Sequence, residues 1–431
     1  MHDFARALVS APRSITGDGV RATLEGVSKQ LPLSIHEVPS GTKVLDWTVP
    51  PEWNVREAWF AGPDGTRIAD WARNPLHLLG YSIPRQGRFS RRDLQPHLHS
   101  LPERPSLIPY RTSYYTPAWG FCLSEDVRRV LPEGDYDVFI DTTLDAAGSL
   151  TYGEAFIPGS ETDEILITTH VCHPSMANDN LSGIAVATAL GESIAQQSRR
   201  WSYRLLFIPG TIGSITWLAR NRERLAGIRA GLVLTGLGDR AGFTYKRSRQ
   251  GASWTDRVLE RVLAEANAAG EQVRIVDFSP YGYDERQFCS PGFNLPIGRL
   301  TRSPHGEYAE YHTSADDLDF ITPSQLEKSL AVLQRAVEIF ETDRRHLNTS
   351  PYGEPNLGRR GLYREVGGTI DRQSVELGYL WMLSQSDGSQ SVLDVSRKSG
   401  LAYDALQRAS QALREAGLLE DVGAGADAPA P

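Results

Sequence analysis

The sequence predicts an α/β protein with a mainly parallel sheet flanked by helices, a β-rich insertion and a small C-terminal helical domain. Three observations support this prediction. Short apolar runs alternate with helical patterns between about 148 and 340, which is typical of parallel sheets. A segment rich in Trp, Tyr and Pro precedes this region. From residue 371 onward, three short helical patterns are separated by turns.

These patterns divide the chain. We assign 1–42 and 142–345 to the α/β domain, 43–141 to the inserted β-rich module, 371–422 to a winged-helix-like domain and 423–431 to a flexible tail. Near the N-terminus, two helices flank the loop 14–19. In the α/β domain we predict strands at 164–169, 204–209, 231–235, 274–278 and 295–300, and helices at 181–197, 213–224, 254–268 and from 323 onward.

Composition narrows the function classes. The chain has 431 residues and a net charge of −8, which argues against a nucleic-acid partner. We see no apolar run near the ~20 residues that a membrane helix needs and no secretory signal. The three cysteines, Cys122, Cys172 and Cys289, suit a reducing compartment. We therefore expect a cytoplasmic protein with no membrane partner. For Cys172 a role as a small buried residue is favoured over that of a reactive thiol or a soft metal ligand.

The C-terminal helices have the spacing of a DNA-binding helix-turn-helix, and a wing after Gly417 would complete a winged helix. Their charge disfavours DNA binding, because the segment from 371 to the end contains five basic and nine acidic residues. A role in packing or homo-oligomer formation is therefore favoured over DNA binding.

The stretch 167–183 is the centre of the predicted chemistry. His170, His173 and Asp179 lie in one loop at the carboxyl end of a predicted strand, where open α/β sheets bind ligands. Imidazole and carboxylate groups suit Zn²⁺. Alternatively, the histidines end the strand and Asp179 caps the next helix.

Two further stretches, 279–292 and 307–317, adjoin predicted strands and are dense in polar and aromatic residues. His312 could complete a His/Asp/His site that leaves one position for water, as catalytic zinc sites do. The aromatic cluster 108–121 either packs a thin β core or lines a substrate cleft.

Three motifs resemble those of the zinc metallo-aminopeptidase superfamily, which includes leucyl aminopeptidases and glutaminyl cyclases. They are Asn178-Asp-Asn-Leu-Ser-Gly183, Tyr283-Asp-Glu-Arg-Gln-Phe288 and Tyr311-His-Thr-Ser-Ala-Asp316. More closely, the chain is similar almost end to end to an uncharacterised bacterial family with an aminopeptidase-like domain, an inserted β module and a C-terminal winged-helix-like domain. Some of its members are labelled polysaccharide-biosynthesis proteins. The stretches that match this family are 13–21, 118–122, 172–183 and 359–363.

The resemblance implies roles for individual residues. Asp179 would be a metal ligand, the bridging one in two-metal relatives, and His312 the distal ligand. The histidine at the strand end falls on His170, or on His173 if the loop is reset. Asp284 would lie in or next to the coordination sphere.

One departure from the resembling family matters. That family reads Pro-Glu-Thr-Ile-Gly-Ser where this chain reads Pro209-Gly-Thr-Ile-Gly-Ser214, so Gly210 replaces the carboxylate that activates water or holds metal. Thr235 stands where a further Asp ligand is expected. The sequence therefore favours one Zn²⁺ over two.

Three explanations stay open. Another carboxylate substitutes, with Asp284, Glu285 and Glu310 as the catalytic candidates and Glu307 also near. The reaction needs no activated water, as in acyl transfer or cyclisation. Or the chain is a non-catalytic relative. A Ser/His/Asp triad through Ser182 is disfavoured, because Ser182 lies one turn into a predicted helix.

We accordingly expect a zinc-dependent enzyme that acts on an amide bond of a small aminoacyl or peptidyl substrate, with a biosynthetic role. His170, His173, Asp179 and His312 would hold the metal. Tyr281, Tyr283 and Arg286 would bind substrate and stabilise an oxyanion. The alternative is a catalytically impaired relative that binds a ligand.

Overall fold

The structure is a computed structural model that describes residues 1–362 and 371–422, without the side chains of 371–374. The predicted tail, 423–431, lies outside the described residues. The N-terminal segment forms α1 (His2–Leu8), α2 (Asp18–Ser28) and β1 (Ser34–Pro39). Most side chains of β1 are exposed or half-exposed, which explains why no apolar pattern predicts this strand.

The inserted module follows. Its elements are β2 (Lys43–Val44), β3 (Trp47–Thr48), β4 (Glu52–Ala61), β5 (Arg67–Asp70), β6 (Arg85–Ser90), α3 (Arg91–Leu94), β7 (Leu98–His99), β8 (Phe121–Cys122), α4 (Glu125–Arg129) and β9 (Asp135–Asp145). Four of the strands form an antiparallel sheet in the order β5-β4-β9-β6. Its core is aromatic, with Phe60, Phe121 and Tyr136 fully buried.

The α/β domain continues from β9. It consists of β10 (Ser149–Ile157), β11 (Glu164–His170), α5 (Gly183–Ala195), β12 (Ser202–Ile208), α6 (Ile212–Arg220), β13 (Ile228–Leu234), β14 (Phe243–Lys246), α7 (Trp254–Ala268), β15 (Val273–Val276), α8 (Glu285–Phe288), β16 (Ile297–Thr301) and α9 (Pro323–Thr342). Short 3₁₀ turns occur at Pro75–His77, Gln95–His97, Arg222–Gly227 and Gly358–Arg360.

Eight strands form one sheet in the order β1-β10-β12-β11-β13-β16-β14-β15. The four central strands, β12, β11, β13 and β16, are parallel, whereas β10 and β14 pair antiparallel with β12 and β16. The predicted α/β class with a mainly parallel centre is confirmed. Because β11 lies between β12 and β13, its carboxyl end at His170 is at the middle of the sheet edge.

The two faces of the sheet bury different layers. Ile165 and Ile167 of β11 belong to a buried apolar cluster that includes side chains of α1, α2, α5, α7 and α9. Leu166, which points to the opposite face, packs with α6, α8 and the inserted module. The module thus covers one face of the sheet and supplies loops to its edge.

The C-terminal domain contains β17 (Arg345–Asn348), α10 (Asp371–Gln385), β18 (Asp387–Ser391), α11 (Val392–Ser399), α12 (Tyr403–Glu415) and β19 (Leu419–Asp421). β17, directly after α9, pairs antiparallel with both β18 and β19. The domain is anchored to the α/β domain through Arg335 of α9, whose guanidinium lies 2.6 Å from Asp404 of α12. No helix in the ranges 1–362 and 371–422 is long and apolar enough to cross a membrane.

Candidate metal centre

Four predicted metal ligands lie together at the carboxyl edge of the central sheet. His170 Nε2 is 2.8 Å from Asp179 Oδ1, and His312 Nε2 is 3.1 Å from Asp179 Oδ2. His173 Nδ1 is 3.7 Å from Asp179 Oδ1. The ligand atoms of His170, His173 and Asp179 lie within 4.8 Å of one another. Three imidazoles therefore surround both oxygens of one fully buried carboxylate.

The residues around Asp179 explain how a loop can hold it there. Alternate side chains of the motif accept hydrogen bonds from consecutive backbone N–H groups of the loop after β13. The pairs are Asn180 with Gly236 at 3.2 Å, Ser182 with Leu237 at 2.9 Å and Asn178 with Gly238 at 2.9 Å. Asp179, between two anchors, is left to face the histidines. Ser182 also donates to the Asn178 carbonyl at 2.7 Å, so its hydroxyl serves the loop and not a triad.

Asp316, the last residue of the motif that contains His312, fastens the same loop from the other side. Its carboxylate accepts hydrogen bonds from the backbone N–H groups of Asn178, at 2.5 Å, and Asp179, at 2.9 Å. Burial raises the pKa of Asp316 above its ordinary value. The two late-motif residues thus have different tasks: His312 faces the carboxylate of Asp179, and Asp316 fixes its backbone.

Aromatic rings fix the orientation of the imidazoles. Tyr283 stacks on His170 with ring centroids 5.2 Å apart, and Tyr311 stacks on His312 at 3.9 Å. Tyr110 contacts both His173, at 5.4 Å, and His312, at 5.1 Å, with its edge or face. Tyr110 belongs to the inserted module, so the module contributes directly to the site.

The electrostatics favour a cation. Burial acts to raise the pKa of Asp179, but His173, His170 and His312 outweigh it and hold this pKa well below its ordinary value. Burial lowers the pKa of His173 to about 3, so this imidazole is neutral and its nitrogen lone pair is free. Its buried Nδ1 has no hydrogen-bond partner within the described ranges. An ionised carboxylate, imidazole nitrogens and the unused Nδ1 of neutral His173 are the kinds of donor that a zinc site needs.

Asp284 occupies the side of the site next to Gly210. β11 and β12 pair His170 with Ile208, so Gly210 lies two residues beyond the end of the neighbouring strand. A Cβ atom on Gly210 would lie 3.3 Å from Asp284 Oδ1 and 3.3 Å from His170 Cβ. Asp284 is buried, and its Oδ1 has no hydrogen-bond partner among the residues described. Burial raises the pKa of Asp284 to about 6.

The other candidate carboxylates are placed differently. Glu285, fully buried, lies 3.0 Å from Lys246 Nζ and 3.5 Å from Arg299 Nη1, so cations already neutralise it. Glu307 forms an exposed ion pair with Arg274 at 2.7 Å. Glu310 is half-buried, and its backbone carbonyl accepts hydrogen bonds from Thr313. Of the candidates, Asp284 is therefore the carboxylate whose free oxygen borders, together with His170, the space beside Gly210.

The three predicted substrate-binding residues lie at different distances from the centre of the site. Tyr283 is part of the site through its stacking on His170. Tyr281 is 74% exposed and packs on His305 with ring centroids 4.9 Å apart, at the rim. Arg286 lies near enough to Asp284 to lower its pKa, and its Nε is buried without a partner in the described structure.

Three residues near the site were not among the predicted site residues. Tyr110 lies in the aromatic cluster 108–121, whose composition allowed a cleft role but did not single it out. Asp316 is a motif residue whose contribution depends on backbone N–H groups that composition cannot show. Arg13 donates from Nε to the His173 carbonyl at 2.7 Å, and no local pattern predicts this contact over 160 residues of sequence.

Comparisons with known proteins agree with this architecture. The profile of the family described as domain of unknown function DUF4910 matches residues 2–343, and that of a winged helix-turn-helix family matches 344–421. A protein of Clostridium acetobutylicum that carries the name of a polysaccharide biosynthesis protein with an aminopeptidase-like domain is 45% identical over 420 residues, or 97% of this chain and 96% of that one.

Solved structures show the same fold. A crystal structure named as that of a peptidase from Clostridium acetobutylicum superposes with a TM-score of 0.91 at 43% identity, over 98% of this chain and 96% of that one. A zinc aminopeptidase from Bacillus subtilis gives a TM-score of 0.56 at 12% identity, over 79% and 94% of the two chains. The α/β domain thus has an aminopeptidase-like fold, and the chain belongs to the DUF4910 family, joined to a C-terminal winged helix-turn-helix domain.

Proposed function

We propose that the protein is a metal-dependent, aminopeptidase-like enzyme that acts on an amide bond of a small aminoacyl or peptidyl substrate. The observation that carries this proposal is the arrangement of three imidazoles around both oxygens of buried Asp179. Such a set of nitrogen and oxygen donors at the carboxyl edge of a parallel sheet suits Zn²⁺.

One ion is favoured over two. The positions that would supply further carboxylate ligands are Gly210 and Thr235, and neither side chain carries an acid. A zinc ion bound by His170, His173, Asp179 and His312 would act as a Lewis acid on an amide carbonyl. Fixing a second cation would need negative charge that these two positions lack.

The residues of the chain itself would bind and orient the substrate and move a proton. Asp284 Oδ1 is buried, unpaired among the described residues and next to His170, so it is placed to accept a proton from an attacking water or amine. Tyr283 precedes Asp284, Arg286 follows it by two residues, and both are candidates for stabilising an oxyanion. Tyr110 and Tyr311 pack against the histidines and would exclude bulk water from the reacting centre.

Two forms of the reaction differ in the group that attacks the amide carbonyl. Hydrolysis needs an activated water, whereas acyl transfer and cyclisation use an amine of the substrate. Because Gly210 has no carboxylate to activate a water molecule, the amine is favoured as the attacking group. A biosynthetic and cytoplasmic role fits the name of the Clostridium acetobutylicum relative and the three unpaired, buried cysteines. Cysteines that are found oxidised in protein isolated without reductant would contradict the cytoplasmic proposal.

Metal analysis and amide turnover test the proposal together. We expect close to one equivalent of zinc per chain after dialysis, and release of product from aminoacyl amides or transfer to an added amine. A matched protein with His170, His173 and His312 replaced by Ala controls for adventitious zinc. If the wild type binds no more transition metal than this control, the proposal is wrong.

The alternative proposal is a ligand-binding relative without catalysis, and Gly210 motivates it. Gly210→Glu discriminates between the two. If this substitution creates cleavage of aminoacyl anilides that the wild type lacks, the wild type has lost its catalysis. If the wild type already turns over such amides at comparable rates, the alternative is eliminated.

We also propose that the winged-helix domain serves packing or homo-oligomer formation and not DNA binding. Its helix α12, the second helix of the helix-turn-helix, faces α9 of the same chain: Asp404 pairs with Arg335, and Gln407 donates to the Thr342 carbonyl at 2.7 Å. Light scattering measures the oligomeric state, and fluorescence anisotropy with duplex DNA tests the excluded role. Salt-sensitive DNA binding at micromolar affinity would contradict the proposal.

A further inference from the structure

Arg13 is a buried cation beside the metal centre. It is 2% exposed, and it donates from Nε to the His173 carbonyl at 2.7 Å and from Nη1 to the Leu8 carbonyl. Its Nη2 is also buried and has no hydrogen-bond partner within 1–362 and 371–422. Two of the three guanidinium nitrogens therefore form hydrogen bonds, and the third, Nη2, forms none, although Arg13 adjoins the candidate ligand His173.

No acidic side chain in the described structure neutralises Arg13. Its neighbours include a thiol, Cys172, and a phenol, Tyr110. A guanidinium is too basic to lose its proton in a folded protein, so Arg13 keeps its charge. Buried charges in proteins are ordinarily paired, and this one is not.

The loop that carries Arg13 is held rigidly in place. A Cβ atom on Gly19 would lie 2.2 Å from the Pro12 carbonyl oxygen, so only glycine allows α2 to pack this closely on the loop. Thr16 Oγ1 lies 2.6 Å from the Tyr81 hydroxyl and accepts a hydrogen bond from the Trp53 backbone N–H at 2.9 Å. The guanidinium is therefore preorganised and does not swing freely.

The charges around the site point to an anionic substrate group. Arg13 offers the opposite charge, and a guanidinium is well suited to a planar carboxylate.

We propose that Arg13 binds a carboxylate of the substrate, so that the natural substrate is an amide that carries an anionic group near the scissile bond. This inference rests on the proposed function, since it names the substrate class of the same site. The vacant Nη2 donates to the carboxylate, and the metal centre faces the adjacent amide carbonyl.

Calorimetric titration tests the inference with two probes of nearly equal shape, N-acetylglycine and its neutral counterpart N-acetylglycinamide. We expect the zinc-loaded wild type to bind N-acetylglycine at least about tenfold more tightly, as a charge-assisted contact would give. Arg13→Gln should abolish this preference, Arg13→Lys should reduce it, and Arg92→Gln, at an exposed arginine of α3, should leave it unchanged.

Repeating the titration on metal-free protein separates the inference from the proposed function. A carboxylate bound only by zinc loses its preference when the metal is removed, whereas one bound by Arg13 keeps a preference that Arg13→Gln removes. Equal affinity of the wild type for the two probes overturns the inference, even if Arg13→Gln fails to fold. A preference that survives in folded Arg13→Gln or is undiminished in Arg13→Lys also overturns it. A protein that binds the anion through Arg13 but takes up no zinc contradicts only the proposed function.

Discussion

The carboxylate of Asp284 lies directly against the space into which a side chain on Gly210 would project. A Cβ atom at position 210 would be 3.3 Å from Asp284 Oδ1 and 3.4 Å from Oδ2, closer than most Cβ contacts in proteins. The absence of a carboxylate at position 210 and the free oxygen of Asp284 are therefore one structural feature, because the two carboxylates would share a single buried space.

Gly210→Glu should consequently destabilise the protein and gain no activity. A second buried carboxylate beside Asp284 brings crowding and like-charge repulsion, and we expect the free energy of unfolding to fall by about 1–3 kcal/mol. Chemical denaturation measures the change. Gly210→Ala is the control for crowding alone, and in the double variant Gly210→Glu/Asp284→Ser much of the loss should be recovered. Additive losses in the double variant would show that the two positions do not compete.

Asp284→Asn should lower amide turnover by ~10²–10⁴-fold if Asp284 accepts the proton, because the amide cannot do so. Zinc content and stability should change little, since the substitution is nearly isosteric. Turnover is measured with the best substrate of the amide panel. Glu310→Gln is the matched control at a half-buried carboxylate, and a loss of activity there with none at Asp284 would move the catalytic role to Glu310.

Removal of His312 should weaken metal binding and, with it, thermal stability. At free zinc of 100 times Kd, a bound ion adds about 2.7 kcal/mol to the free energy of unfolding. We expect EDTA to lower the melting temperature of the wild type but not that of His312→Ala. Metal affinity should fall by more than the ~10–100-fold that is typical for partners outside the coordination sphere. His36→Ala, on edge strand β1, should behave as wild type, and an EDTA response in His312→Ala equal to that of the wild type would exclude His312 as a ligand.

Asp316→Asn should loosen the loop that carries Asp179. One amide oxygen replaces two carboxylate oxygens, and the amide N–H₂ group cannot accept the second backbone N–H, so we expect a loss of about 1.5–3 kcal/mol in the free energy of unfolding. Zinc affinity should fall as well, although Asp316 is not a proposed ligand. Denaturation and metal titration check both, with exposed Asp319→Asn as control. Unchanged zinc affinity would show that Asp179 keeps its place without this support.

Strand ends and motif spacing were sufficient to predict that His170, Asp179 and His312 meet. β11 contains the apolar run Ile165–Ile167 and ends at His170, and the end of a central strand lies at the sheet edge. The prediction could not reach Tyr110 or Arg13, because both come to the site by long-range packing. Their positions depend on how the inserted module and the N-terminal loop dock, which no periodicity records.

Long-range packing also explains why the sequence could not distinguish the roles of the candidate carboxylates. Asp284 and Glu285 are adjacent in sequence, and nothing local separates them. The cations that neutralise Glu285 come from β14 and β16, so its ion pairs depend on the register between these strands. The metal role of the four ligands stays a prediction until the metal is measured, whereas the α/β fold with its winged helix is confirmed.

Asp343, at the junction of the α/β and winged-helix domains, should make stability depend on pH. Its buried carboxyl accepts hydrogen bonds from the Leu393 backbone N–H, at 2.9 Å, and from Trp254 Nε1, at 3.1 Å. Burial raises its pKa from the ordinary 3.8 to about 6, and nearby Asp394 adds to this rise. The folded state thus binds the proton more tightly than the unfolded chain, so the stabilisation is fully present below about pH 3.8 and is lost as pH rises through about 6.

The difference in unfolding free energy between the wild type and Asp343→Asn isolates this contribution. Between pH 4 and pH 7 we expect the free energy of unfolding of the variant to rise, relative to that of the wild type, by up to about 3 kcal/mol, since one pKa unit corresponds to about 1.4 kcal/mol. In addition to this gain, the variant should lose about 1 kcal/mol at every pH, because one amide oxygen cannot accept hydrogen bonds from both Trp254 and Leu393. Urea denaturation at several pH values measures the difference.

Asp404→Asn, at an exposed carboxylate of the same junction, is the control. It should show no such gain, because the carboxylate of Asp404 is 55% exposed and solvent screens it. A difference for Asp343→Asn that is constant across the range would mean that Asp343 is already ionised at pH 4 in the folded protein, with its two N–H donors outweighing burial.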